Sequence, residues 1–152
     1  MYVITYQNFL LGGFMKILLL SHGDFSKGLF ESFEMIVGNT DNISYLSLDN
    51  EGISKFENKV REKVEDILKE DKLLILSDLK GGTPYNTALR MQLENPEDIG
   101  LLSGMNLPML LEVGMDTSND LHSVLEIAVN SGKEGITFSE VKSEDDDDDD
   151  LF

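Results

Sequence analysis

The chain has 152 residues, enough for one domain around a single core, and 41% apolar content with a mean hydropathy of −0.15 marks a globular protein, not a disordered or membrane-embedded one. It contains no cysteine, which excludes disulfides and thiolate metal sites. Formal charge is −17; Glu144 and the aspartates 145 to 150 supply seven of those negatives and leave −10 on the rest, a field that repels nucleic acid and anionic lipid and favours a partner with a basic docking face.

The opening MYVITYQNFLLGGF carries no charge, so it lacks the basic start of a signal peptide, and its apolar stretches are too short to span a bilayer. Leu-Gly-Gly-Phe-Met can be encoded by TTA-GGA-GGA-TTT-ATG, which reads as a bacterial ribosome-binding site ahead of a start codon. Translation is therefore expected to begin at Met15, with residues 1–14 lying outside the native protein. The folded domain is expected over residues 15–142. The stretch 143–152, SEDDDDDDLF, is low in complexity and self-repelling, and is expected to be a disordered, solvated tail.

Between these ends, short β-rich runs alternate with longer helical ones. KILLLS (16–21) is a strongly apolar strand. Asp24 or Ser26 can cap the helix after it, whose inner face would hold Leu29, Phe33, Ile36 and Val37 and which Gly38 would end. ISYLSL (43–48) alternates as a strand does. From Ile53 to Lys69 the apolar residues Ile53, Phe56, Val60, Val64, Ile67 and Leu68 keep helical spacing, with charges on the other face. LLILS (73–77) is continuously apolar, as a strand covered on both faces must be. After DLKGG, Thr83 is placed as N-cap with Pro84 at the first helical position, and the helix runs to about Leu93. IGLLSG (99–104) gives a fourth strand, followed by a short helix from Leu107 to Met115. Leu121, Val124, Leu125, Ala128 and Val129 form the stripe of a last helix ended by Gly132, and GITFSEV (135–141) reads as a last strand.

This alternation predicts a doubly wound α/β domain, a mainly parallel sheet flanked by helices, and the order 2-1-3-4 is assumed for it. The link NSGKEG is too short for a parallel return, so the last strand is expected antiparallel at an edge or paired with a neighbouring subunit. Open parallel sheets place their sites at the carboxyl ends of strands, beside the point where strand order reverses. His22 follows strand one and Asp78 follows strand three, the two strands that flank the reversal in this order.

That placement suits a phosphoryl carrier. A carboxylate accepting from Nδ1–H fixes the imidazole tautomer and leaves Nε2 free as nucleophile. Asp78 is the candidate orienter. Gly23, the pair Gly81-Gly82 and the helix start at Thr83 offer backbone N–H groups and a hydroxyl to phosphoryl oxygens. Phosphoryl transfer asks for little beyond positioning and charge stabilisation, and no metal or cofactor is needed when the donor is another phosphohistidine.

Each signal alone has an ordinary structural explanation: a satisfied histidine, a turn-capping aspartate, a loop-to-helix junction. A flavodoxin-like module binding a nucleotide or flavin in the same crevice is an alternative, although neither G-x-G-x-x-G nor G-x-x-x-x-G-K-[ST] occurs. A response-regulator receiver needs clustered acids after strand one, where LLLSHGD offers only Asp24. His22 and His122 are the only histidines, and His122 is expected exposed on a helix, which argues against a metal site.

ILLLSHGDFSKGL, LILSDLKGGTPYNTALRM, LLSGMNLPMLLEV and AVNSGKEGI resemble, in order and spacing over residues 15–141, the IIA component of the mannose/fructose/sorbose family of the bacterial sugar phosphotransferase system. The resemblance implies a cytoplasmic homodimer whose last strand is exchanged between subunits. It implies that His22 receives a phosphoryl group from the phosphocarrier HPr and passes it to a IIB component, with Asp78 holding the ring and Thr83 supplying the hydroxyl of the family's GGS/T segment. Membrane subunits IIC and IID would then move and phosphorylate the sugar. Leu79-Lys80 departs from the Thr-Trp of better-known members, so that threonine's hydroxyl is missing and Lys80 adds a positive charge, although a solvent-exposed loop lysine is its ordinary reading. No linker to a fused IIB domain follows Val141, which implies a free-standing subunit. The phosphotransfer subunit of dihydroxyacetone kinases is the related alternative.

Overall fold

The computed structural model describes residues 15–143. The expectations for residues 1–14 and for the acidic run lie outside the described residues. Four strands and five helices alternate within them: β1 (Met15–His22), α1 (Phe25–Val37), β2 (Ile43–Leu48), α2 (Ile53–Leu68), β3 (Lys72–Ser77), α3 (Thr83–Glu94), β4 (Ile99–Ser103), α4 (Leu107–Met115) and α5 (Leu121–Glu134). The strands form one parallel sheet, as the alternation predicts, and its order β2-β1-β3-β4 is the one assumed from the sequence.

The apolar runs become strands because both faces of the sheet are covered. Ile17, Leu19, Leu74 and Leu76 pack with Leu29 and Phe33 of α1, Met109, Leu110 and Val113 of α4, and Val124 and Ala128 of α5. On the opposite face Leu18, Leu20, Leu73 and Ile75 pack with Phe56, Val60 and Val64 of α2 and Ala88 and Met91 of α3. A strand points alternate side chains to opposite faces, so only continuous leucine and isoleucine satisfy both layers. Each such side chain, fully removed from water, contributes about 1.5–3 kcal/mol.

Local signals misplaced several edges. Ile36 and Ile53 are 60% and 53% exposed and belong to neither core, although Val37, the next residue of α1, does pack against the first of them. Gly132 does not end α5. The helix continues to Glu134, and a Cβ at Gly132 would lie 2.7 Å from Met109 Cε, so this glycine permits the close approach of α5 to α4. The expected last strand is absent from the sheet. Residues 136–143 are irregular, with Ile136, Phe138 and Val141 exposed at 78%, 82% and 92%, and they join no described strand of the sheet. On its outer side β4 pairs with no other described strand, and so forms a sheet edge.

Candidate functional site

The reversal of strand order falls between β1 and β3, and the chain leaves both strands at the same end of the sheet. His22 is the last residue of β1, and Asp78 is the first beyond β3. Asp78 N–H donates to the Leu20 carbonyl at 3.3 Å, which extends the ladder by one step and delivers its carboxyl to the histidine.

One carboxylate oxygen, Oδ2, accepts from the His22 backbone N–H at 2.9 Å and lies 2.8 Å from ring Nδ1. The other, Oδ1, accepts from Leu79 N–H at 2.8 Å. Burial pushes the Asp78 carboxyl up, but the His22 backbone N–H, the His22 ring and the Leu79 N–H together outweigh it and hold the group below the ordinary carboxylate range. An ionised carboxylate can only accept, so the shared proton sits on Nδ1, and in the neutral tautomer this leaves the lone pair on Nε2. The His22 side chain is 49% exposed and that of Asp78 15%, so the ring faces solvent while its anchor stays half-buried.

The ring lies against the start of α3. A Cβ built on Gly82 would stand 2.7 Å from His22 Cε1 and 3.4 Å from Nε2, so only glycine leaves the imidazole its place. Gly82, not Thr83, is the N-cap; Thr83 and Pro84 are the first two helical residues, a shift of one position from the sequence expectation. Gly81 adopts a left-handed φ of +82°, and its carbonyl accepts from Asn86 Nδ2 at 3.1 Å. The first N–H groups of a helix have no intrahelical acceptor, and those of Thr83 and Tyr85 begin this one. Gly23 also lies in the left-handed region, with φ +54°, and its N–H donates to Leu48 O at 2.7 Å. Gly23 thus shapes the turn, and its amide is already engaged.

The structure brings Asp78 and Gly82 each into contact with His22, and the loop from Leu79 to Gly82 joins Asp78 to α3. Lys80 is exposed beside Leu79. His122 stands on the outside of α5, 82% exposed and 3.3 Å from Glu126, as expected of a surface histidine. Sequence reasoning missed Asn86, whose side chain ties the glycine loop to α3, and Ser21, which caps α1 from within β1: its Oγ accepts from Ser26 N–H at 2.7 Å, whereas Asp24 occupies the N-cap position without a side-chain cap bond. A lone hydroxyl ending an otherwise apolar strand was the available signal.

A doubly wound α/β domain that presents a carboxylate-held histidine at the reversal point of its sheet is the class of protein seen here. Residues 16–129 match the EIIA-man family, described as the PTS system fructose IIA component. The chain is 38% identical over 100 residues to the fructose-specific EIIA component of Bacillus subtilis, covering 65% of this chain and 68% of that protein. It is 34% identical over 106 residues to the sorbose-specific EIIA component of Lacticaseibacillus casei, covering 69% and 75%. Among solved structures, the mannose/sorbose-specific IIA subunit from Enterococcus faecalis superposes with a TM-score of 0.77 at 26% identity, covering 84% of this chain and 96% of that one. The chain belongs to the mannose-type IIA family of the sugar phosphotransferase system.

Two outcomes follow from this geometry. Because the folded Asp78 carboxyl titrates below its unfolded value, its contribution to stability is complete above the ordinary carboxylate range and is lost as pH falls through the lowered value. Asp78→Asn should therefore flatten the acid limb of a Tm profile taken between about pH 6 and about pH 2; an identical limb would show that the carboxyl is not held as described. Gly82→Ala should cost about 1.5–3 kcal/mol, because the ring it meets can swing aside only by giving up its bond to the Asp78 carboxylate. Its imidazole ¹⁵N spectrum should lose the single Nδ1–H tautomer, and an unchanged spectrum would remove Gly82 from the site.

Proposed function

We propose that His22 is the phosphoacceptor of this IIA component, taking a phosphoryl group from HPr and handing it to a IIB component. The carrying observation is the double grip of Asp78 Oδ2 on the His22 backbone N–H and on Nδ1. With Nδ1 engaged, Nε2 is the available nucleophile, and it stands over Gly82 at the amino end of α3.

In the forward step the Nε2 lone pair forms a bond to phosphorus as the donor's N–P bond breaks, and that electron pair returns to the donor's ring nitrogen. The proton on Nδ1 stays between ring and carboxylate, where the charge of Asp78 offsets the positive charge developing on the imidazole. The first-turn N–H groups of α3, the Thr83 hydroxyl and the helix dipole favour the incoming dianion. Transfer onward to IIB runs the same step in reverse with a different partner ring. A half-exposed histidine suits a relay, since each partner's own ring must reach Nε2.

The reading extends to assembly. The exposed apolar residues of 136–143 and the open edge of β4 support a homodimer in which this segment lies along the partner subunit's sheet. Among the described residues no helix is long and apolar enough to cross a membrane, and the relay is proposed to work in the cytoplasm, upstream of membrane subunits IIC and IID that move the sugar.

Incubation with phosphoenolpyruvate, enzyme I and HPr should add one acid-labile, base-stable phosphate per chain, measured by intact mass. His22→Ala should abolish it, and Asp78→Asn should slow transfer by roughly 10–100-fold or more, that range being the loss when a metal-bound histidine is deprived of its carboxylate partner. Phosphate on His122, or none with active partners, overturns the assignment. In sedimentation, the full chain should run as a dimer and a chain ending at Gly135 as a monomer. A monomeric full chain would refute strand exchange.

A further inference from the structure

We infer that Ser21 is a positioning residue for His22, acting through the backbone of the turn and not through contact with the ring. The inference rests on the reading of His22 as phosphoacceptor. Alternation along β1 puts Ser21 on the face of Ile17 and Leu19, toward α1, and His22 on the face of Leu18 and Leu20, toward α2 and α3. Ser21 is nevertheless fully buried, and its hydroxyl is used in both directions: Oγ donates to Gly23 O at 2.9 Å and accepts from Ser26 N–H at 2.7 Å. One side chain thereby closes the turn 21–26 and supplies the cap that Asp24 does not give α1.

The chain is also held at three backbone points around the ring. His22 N–H goes to Asp78, Gly23 N–H goes to Leu48 O at 2.7 Å, and Gly23 O goes to Ser21. The Gly23 carbonyl belongs to the residue whose φ of +54° turns the chain away from the strand. With the Ser21 bond removed, the peptide groups on either side of Gly23 can rotate, and the His22 N–H and ring lose their common register on Asp78 Oδ2. Ser26 extends the same support into β2, its Oγ lying 3.1 Å from Ser47 Oγ and donating to Leu46 O at 3.3 Å. Ser47 is therefore a useful comparator: its hydroxyl meets the turn at the Ser26 side chain and hydrogen-bonds to neither the Ser21 hydroxyl nor Gly23.

The test uses the full chain, with phospho-HPr as donor and ¹⁵N NMR of the imidazole as a second readout. Ser21→Ala should lower kcat for transfer about 10–100-fold, the scale on which a misplacement of around 1 Å acts, with KM nearly unchanged. The His22 ring should then show mixed tautomers. Ser21→Cys keeps the volume while providing only a weak donor and acceptor, and should behave like Ser21→Ala, so it carries the test if the alanine variant does not fold. Ser21→Thr retains the hydroxyl and should recover most of the rate, and Ser47→Ala should match wild type in both readouts. Wild-type kcat and a single tautomer in Ser21→Ala or Ser21→Cys, with only Tm lowered, would reduce Ser21 to a helix cap and overturn the inference. Failure of the parent reading appears elsewhere, as no phosphate on His22 in the wild-type chain, and the tautomer readout stands without any phosphate.

Discussion

The site depends on one carboxylate that accepts from three donors, two on the last residue of a strand and one in its own turn. Asp78 takes the backbone N–H and ring of His22 from β1 and the N–H of Leu79 from its own turn. Its partial burial would by itself favour the neutral acid; three donors reverse that preference and keep the anion. Because the same oxygen holds both the main chain and the ring of His22, the imidazole cannot turn without breaking a bond to an ionised group. Orientation of the nucleophile and ionisation of its anchor are thus one constraint.

That constraint is only as rigid as the strands that carry it. β1 is central in the sheet, bonded to β2 and β3, and its residues 17–20 are nearly inaccessible to solvent. A buried, doubly paired strand has little freedom to shift, so its last residue is delivered to a fixed point. The glycines work in the opposite sense. Gly23 allows the chain to leave the strand sharply, and Gly82 removes the side chain that would occupy the ring's position. Rigid leucines place the imidazole and missing side chains make room for it.

The outer surface carries two further features of physical consequence. The body remains strongly acidic without its aspartate run, a charge that attracts a basic partner face and weakens as salt screens it. The segment after α5 leaves Ile136, Phe138 and Val141 to solvent, and β4 pairs with no other described strand on its outer side. Exposed apolar side chains and an open sheet edge are each unfavourable in water.

Much of this was legible in the residues. A continuous apolar run bounded by polar turns fits a strand covered on two faces, which is why LLILS could be read as central, whereas the order 2-1-3-4 had to be assumed; helical spacing in Phe56, Val60 and Val64 likewise survives any packing. His22 and Asp78 were legible because strand ends are marked by the abrupt change from leucine to polar residues. What the residues could not reveal was anything set by a neighbour distant in the chain. Ile36 and Ile53 fit their helical stripes but lie outside the packed layers; Gly132 looks like a stop until Met109 is seen against it; Thr83 looks like a cap until Gly82 takes that place under the imidazole. GITFSEV has the pattern of a strand, yet a strand exists only where another offers its hydrogen bonds. Periodicity is local and determined by the chain itself, whereas exposure, close approach and pairing depend on which surfaces meet, and only the tertiary structure decides that.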